Sequence, residues 1–329
     1  MQPSATTAGS AEPNDVLARL NDPDPALRQL ALVEFGELAD ETSVEPLLVA
    51  LRDPDALVRR LAVTLLEDIG DARAVHGIVA LLSDDEREVR EAAEAALREF
   101  RGPEAAGALL AAIVNPEAEV RRAVIVALRE LRDARAVEPL VAALDDPVSS
   151  VRREAVVTLA YLRLPTAVEP LRAKLGDVDP AVRRVAVGAL AYFNGPALLA
   201  DFTRALADSD WRVRVEAAIV LGRSGLSSAV PALRRVLSDD AYWQVKKEAI
   251  AALGRLAAVS AVAELMRELG SPTPDLRRAA AYALGEIKAP EAAAALVELD
   301  ADPDIEVRKA AARARAAIES ACVARNRDN

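Results

Sequence analysis

The chain has 329 residues with 41 Arg and Lys against 52 Asp and Glu, a formal net charge of −11, which argues against a nucleic-acid binder because such proteins carry a basic footprint. One cysteine, Cys322, and one histidine, His76, exclude an intramolecular disulfide, and they exclude a Cys/His metal site unless carboxylates supply the other ligands. No stretch approaches the length of a membrane span, and the first fifteen residues lack a basic start followed by an apolar run, so a soluble, cytoplasmic protein is expected.

Residues 1–13 read as a disordered N-terminal tail, 14–320 as the folded array and 321–329 as a C-terminal tail. Within the array a basic anchor recurs at Arg28, Arg59, Arg90, Arg121, Arg152, Arg183, Arg214, Lys246, Arg277 and Arg308, a period of 31 with a single step of 32. A strict period of this size predicts a solenoid of ten repeats. The first repeat opens with a short helix from Asn14 to Leu20.

The repeat at 136–164 shows why each unit is a helix pair. Val137, Leu140, Val141 and Leu144 form one apolar face, with Pro139 tolerated in the opening turn, and Asp145-Asp146-Pro147 ends that helix. Val151, Ala155, Val156, Leu159 and Leu162 then line one side of a second, longer helix. Neither stripe is buried by its own repeat, so the pairs must stack. An Ala column three residues after the anchor fits close helix contact, and a Leu column seven after it fits the interior between repeats. The Leu column gives way to Arg315 in the last repeat, as suits a terminal face.

An Asp stands six residues before most anchors (Asp22, Asp53, Asp84, Asp146, Asp177, Asp208, Asp240 and Asp302), and it predicts a ladder of carboxylate–guanidinium contacts along the turns. Asn115 and Ser271 interrupt it.

The motif DPDALVRRLAVTLL at 53–66 and DPDIEVRKAAARA at 302–314, with the helix opening VEPL at 44–47, 137–140 and 168–171, resembles HEAT repeats of the phycobilisome-lyase type. The resemblance implies an all-α fold, an α-solenoid wound as a curved right-handed superhelix. Proteins similar to this one include bilin lyase subunits, which handle open-chain tetrapyrroles on phycobiliproteins, and bacterial scaffold proteins. The HEAT-repeat deoxyhypusine hydroxylase, another relative, uses paired His-Glu motifs, and a single His76 does not supply them.

Residues that repeat serve packing, so function is sought in the columns that vary. Positions three before the anchor and one, five and nine after it share one stripe of the second helix and are expected to line the concave face. The column one after the anchor is mostly basic and includes Arg153, Arg184, Lys247 and Arg278. The column nine after it is acidic in the first four repeats, then reads Tyr161, Tyr192, Arg223 and Arg255. Trp211 and Trp243 both stand three before their anchors, Tyr282 lies on the same stripe, and the single extra residue falls between Leu237 and Val245, beside Tyr242. These twelve residues are the candidate partner-binding surface. They predict a non-enzymatic scaffold gripping a partner protein with an acidic or aromatic-binding segment, without a cofactor. The alternative is a bilin-lyase-like factor that holds an open-chain tetrapyrrole. His76 reads as solvated and Cys322 as inert.

Overall fold

A computed structural model describes residues 18–36, 40–193 and 196–327, and no strand occurs among them. The expected tail at 1–13 and most of the short opening helix lie outside the described residues. The chain divides into two units, Met1–Leu162 and Arg163–Asn329, each an α-solenoid of stacked helix pairs.

The first unit contains α1 (Pro25–Phe35), α2 (Val44–Ala50), α3 (Ala56–Ile69), α4 (Ala74–Ala80), α5 (Arg87–Leu97), α6 (Gly102–Ala112), α7 (Ala118–Leu131), α8 (Val137–Ala143) and α9 (Ser149–Leu162). The second contains α10 (Val168–Ala173), α11 (Pro180–Leu190), α12 (Leu199–Ala205), α13 (Trp211–Arg223), α14 (Val230–Asp239), α15 (Trp243–Arg255), α16 (Val262–Glu268), α17 (Pro274–Ile287), α18 (Ala293–Glu298) and α19 (Ile305–Arg327). Odd-numbered helices carry the anchors. The last of them runs on to Arg327, through most of the segment expected to be a C-terminal tail, because ACVARNR at 321–327 contains neither Gly nor Pro to stop it.

The apolar columns are buried as their spacing requires. In the first unit Ala31, Ala62, Ala93, Ala155, Leu66, Leu97, Leu128 and Leu159 are closed to solvent, and the even-numbered helices add Leu47, Ile78, Leu109 and Leu140. In the second, Ala186, Ala217, Ala249, Ala280, Leu190, Leu221, Leu253 and Leu284 are buried, as are Leu171, Leu233, Leu265 and Leu296 of the even-numbered helices. Each buried Leu contributes about 1.5–3 kcal/mol.

The ladder exists, but its pairing differs from the expected one. Where an Asp follows, the anchor points its fork at the carboxylate of the following repeat: Arg59 Nε and Nη2 donate to Asp84 at 2.7 Å each, and Arg28–Asp53, Arg121–Asp146, Arg183–Asp208, Arg214–Asp240 and Arg277–Asp302 repeat this. To its own turn the anchor gives only Nη1, which donates to backbone carbonyls such as Asp53 O at 2.8 Å. The carboxylate also accepts the backbone N–H two residues on, as Asp84 does from Glu86 at 2.9 Å. The sequence offers most anchors an Asp six residues before and another 25 or 26 after, and only geometry decides which partner the fork meets.

The extra residue is absorbed before the ladder Asp and does not remodel the turn at Tyr242-Trp243. Asp240 N–H reaches back four residues to Val236 O, whereas Asp146 and Asp208 reach back three, to Ala143 and Ala205. The end of α14 thus stays α-helical where its neighbours tighten, and Asp240 re-enters register with its side chain accepting from Tyr242 N–H at 2.8 Å.

A glycine column eight residues after the anchor brings three pairs of helices closer still. A Cβ on Gly222 would lie 2.7 Å from both Cα and Cβ of Ala252, one on Gly254 2.8 Å from Ala283 Cα, and one on Gly285 2.8 Å from Ala314 Cα. These crossings set how closely α13, α15, α17 and α19 approach in turn. Gly222→Ala is expected to destabilise the second unit by about 1–3 kcal/mol through overpacking, whereas Gly176→Ala, with nothing near its Cβ position, should leave thermal unfolding unchanged.

Burial raises the carboxyls of Asp84, Asp146, Asp208 and Asp240, but the Arg forks and backbone amides outweigh it and hold all four below their ordinary value; for Asp302 the Arg277 fork dominates outright. Groups lowered in this way stabilise the fold fully above their unfolded value, near pH 3.9, and lose that contribution as pH falls through the folded values. Melting temperature should therefore be flat from about pH 7 to about pH 5 and fall steeply below about pH 4. Arg59→Ala should cost about 2 kcal/mol at neutral pH and flatten part of that acid limb.

Candidate functional site

The second unit gathers most of the residues expected to bind a partner, and it does so in separate groups. Lys247, Ala251 and Arg255 project from α15 at intervals of four, and Arg278, Tyr282 and Glu286 project likewise from α17. Together with Asp275 they line one cleft of about 240 Å³ between these two helices. Arg278 is tied to Asp275 at 2.5 Å and Lys247 stands 3.6 Å from Glu248. Arg255 is exposed, and among the described residues it makes no ion pair. Trp243, on the same stripe of α15 one turn before Lys247, is 39% exposed.

Trp211 and Trp243 each open their helix, as their common register predicts, yet Trp211 stacks on Tyr242 (centroids 5.8 Å apart, 12° between planes). Arg212 lies 4.8 Å from the Trp211 ring and Arg214 lies 5.4 Å from that of Tyr242. Since Arg214 also forks Asp240 at 2.6 Å, this stack shields a ladder rung, and the half-buried Trp211 serves packing more than Trp243 does.

The charges of Arg184 and Arg223 both act on one carboxylate, that of Glu216. Glu216 sits against Gly188, where a Cβ would come within 3.1 Å of its Oε1. Burial raises the Glu216 carboxyl above its ordinary value, and the fields of Arg184 and Arg223 oppose that rise. Tyr192 lies under Arg163, whose guanidinium is 5.4 Å from its ring. Arg153 and Tyr161 belong to the first unit, where Arg132 stacks on Tyr161 at 5.0 Å and donates to its hydroxyl at 2.7 Å.

Arg132 and Arg163 were not singled out in the sequence, although a signal was there. Both have positive φ, 51° and 53°, at the left-handed residue that ends their helices, and Gly70 and Gly225 stand in the same column. Glycine in two repeats marks the backbone turn that aims an Arg at the next repeat's Tyr.

Charge is unequal along the chain. Up to residue 162 there are seventeen Arg and Lys for thirty Asp and Glu, and from 163 on twenty-four for twenty-two. The acidic total resides in the first unit. The second is near neutral, and its cleft is lined by Lys247, Arg255 and Arg278 together with Asp275 and Glu286. His76 is exposed, as read. Among the described residues no cluster of His, Cys, Asp and Glu is arranged to hold a metal, and no helix is long and apolar enough to cross a membrane.

HEAT repeats match the chain over residues 13–98, 77–160, 103–177, 168–254 and 235–316. The chain belongs to the HEAT-repeat family. No curated protein matches it in sequence. Among solved structures, the HEAT array is similar to Kap95p, seen in a complex where its binding induces the switch loops of RanGDP to adopt the GTP-bound conformation (16% identity, TM-score 0.64, 94% of this chain and 49% of that one). It is also similar to the Escherichia coli protein YibA (19% identity, TM-score 0.54, 82% of this chain and 99% of that one) and to an engineered protein (22% identity, TM-score 0.48, 93% and 98%). The likenesses to Kap95p and YibA show the fold.

The two tryptophans of the HEAT array should respond differently to truncation. Trp211→Ala opens the Arg214–Asp240 rung and is expected to cost about 1–2 kcal/mol in thermal or urea unfolding. Trp243→Ala should stay within about 0.5 kcal/mol.

Proposed function

We propose that this HEAT array is a protein-binding scaffold whose second unit grips an acidic segment of a partner in the cleft between α15 and α17. One observation carries the reading: four of the residues selected from the variable columns, Lys247, Arg255, Arg278 and Tyr282, line a single cleft with Trp243 on the same stripe. A partner carboxylate meets Arg255, whose charge has no internal counter-ion among the described residues, and an apolar or aromatic neighbour packs on Tyr282 and Trp243. Rings flanked by cations are the usual anchors of such interfaces. Arg184, Arg223 and Tyr192 extend the cationic surface of the same unit.

A tetrapyrrole factor would use the same side chains, with Arg and Lys on propionates and Tyr and Trp against the rings. The cleft volume, about 240 Å³, favours the protein segment, because pockets that enclose ligands of such size run to about 300–1,000 Å³. Added open-chain tetrapyrrole should leave its absorption spectrum unchanged in the presence of the protein, and a shifted spectrum would reverse this preference.

Capture of partners from cell lysate on the intact chain and on a Trp243→Ala/Arg255→Glu variant tests the scaffold reading. A protein retained by the first and lost by the second, with affinity lowered on the order of 10²-fold, is the expected result. Equal retention by both would remove this cleft from the reading.

A further inference from the structure

The fork that joins successive anchor helices in the second unit fails once, between α15 and α17, the two helices that line the cleft. The anchor there is Lys246, which has no guanidinium fork, and the residue 25 positions on, where Arg183 and Arg277 find Asp208 and Asp302, is Ser271. Lys246 is the single Lys among ten anchors and Ser271 the single Ser among the receivers, so the two departures belong to one rung.

The backbone at Ser271 is nonetheless built as at every other rung. Its carbonyl accepts from Arg277 Nη1 at 2.9 Å, and its Oγ accepts the N–H of Thr273 at 3.3 Å, as the ladder carboxylates accept theirs. What is absent is the anion. The other gap in the ladder, Asn115 after Arg90, differs, since an amide there cannot acquire a charge by esterification and Arg90 keeps both its turn carbonyls. Ser271 is flanked by exposed Gly270, Pro272 and Pro274, and it precedes the first turn of a 14-residue helix, whose N-terminal field favours negative charge.

We propose that Ser271 is a phosphorylation site, and that its phosphate supplies the missing rung to Lys246, clamping α15 to α17 beside the cleft. A protein kinase transfers the γ-phosphoryl group of a nucleoside triphosphate. The Oγ–P bond forms as the bond from the γ-phosphorus to the bridging oxygen breaks, the nucleoside diphosphate leaves, and the hydroxyl proton passes to the kinase base. Lys suits this receiver because an ammonium meets a phosphate as a point charge without needing the planar match of a carboxylate. Its effect on partner binding rests on the scaffold reading: the added negative charge competes with an acidic segment for the lysines at the start of α15.

The test separates the two ideas because its main readout needs no partner. Phosphoserine placed at 271 during synthesis of the full chain should raise the melting temperature by about 2–4 °C and slow amide exchange in the first turns of α15 and α17. The same phosphoserine with Lys246→Ala should give no rise. An unchanged or lower melting temperature, or a rise that survives Lys246→Ala, overturns the clamp. Mass spectrometry of the protein isolated from its own cells should find the group on Ser271, and a peptide without it, or carrying it on Thr273 alone, overturns the site.

Discussion

The guanidinium fork between consecutive repeats is the interaction on which the rest of each unit depends. One Arg side chain closes its own turn through Nη1, reaches the next turn through Nε and Nη2, and is nearly covered while doing so; for Arg59 and Asp84 the side chains are 13% and 7% exposed. A pair this shielded would carry a large desolvation cost if any donor went unmatched. The carboxylate answers by accepting the fork and a backbone N–H together, as Asp84 does. Each rung therefore fixes two turns and the start of a helix at once. Apolar columns supply most of the energy of the stack, while the fork sets register, since Leu and Ala contacts alone tolerate sliding by part of a turn.

That division explains what was legible in the sequence. Leu66, Ala93 and their equivalents recur because each layer needs the same small contact and the same large one, so the period gave the helix pairs and the core directly. The direction of the fork was not legible: a 31-residue repeat places an Asp both six before and 25 after each Arg, and the string is symmetrical between them. Nor was the partner of Trp211. Its register matches Trp243, yet its ring meets Tyr242, one residue earlier, because stacking is decided by rotamers across a turn and not by column. The inner stripe fared better. Positions 247, 251 and 255 face 278, 282 and 286 across one cleft, as a spacing of four on adjacent parallel layers requires. Residues 153 and 161 fall in the other unit, a division of which the variable columns carry no mark.

The glycine column adds a constraint of its own. Gly222, Gly254 and Gly285 let one anchor helix rest on the backbone of the next at a distance no side chain permits. Close backbone approach narrows the space between layers, and long side chains one position on are pushed outward. Arg223 and Arg255 follow two of these glycines, and Glu286 follows the third. The cationic character of the second unit's surface is thus partly a consequence of how tightly its helices pack: the same crossing that buries Ala252 and Ala283 exposes Arg223 and Arg255.

Between α15 and α17 the two kinds of link are unequal. At the C-terminal end of α15, Gly254 lies against Ala283, while at its N-terminal end the rung has lost its carboxylate and its fork. Packing is short-ranged and does not resist rotation about the contact, whereas a fork resists it directionally through two parallel bonds. The pair is therefore held firmly at one end and loosely at the other, with the cleft between. Opening at that end breaks no fork, whereas Arg183–Asp208, Arg214–Asp240 and Arg277–Asp302 must each be parted at the other layers of this unit. The charge that would close the gap is small, local and one residue from an exposed proline.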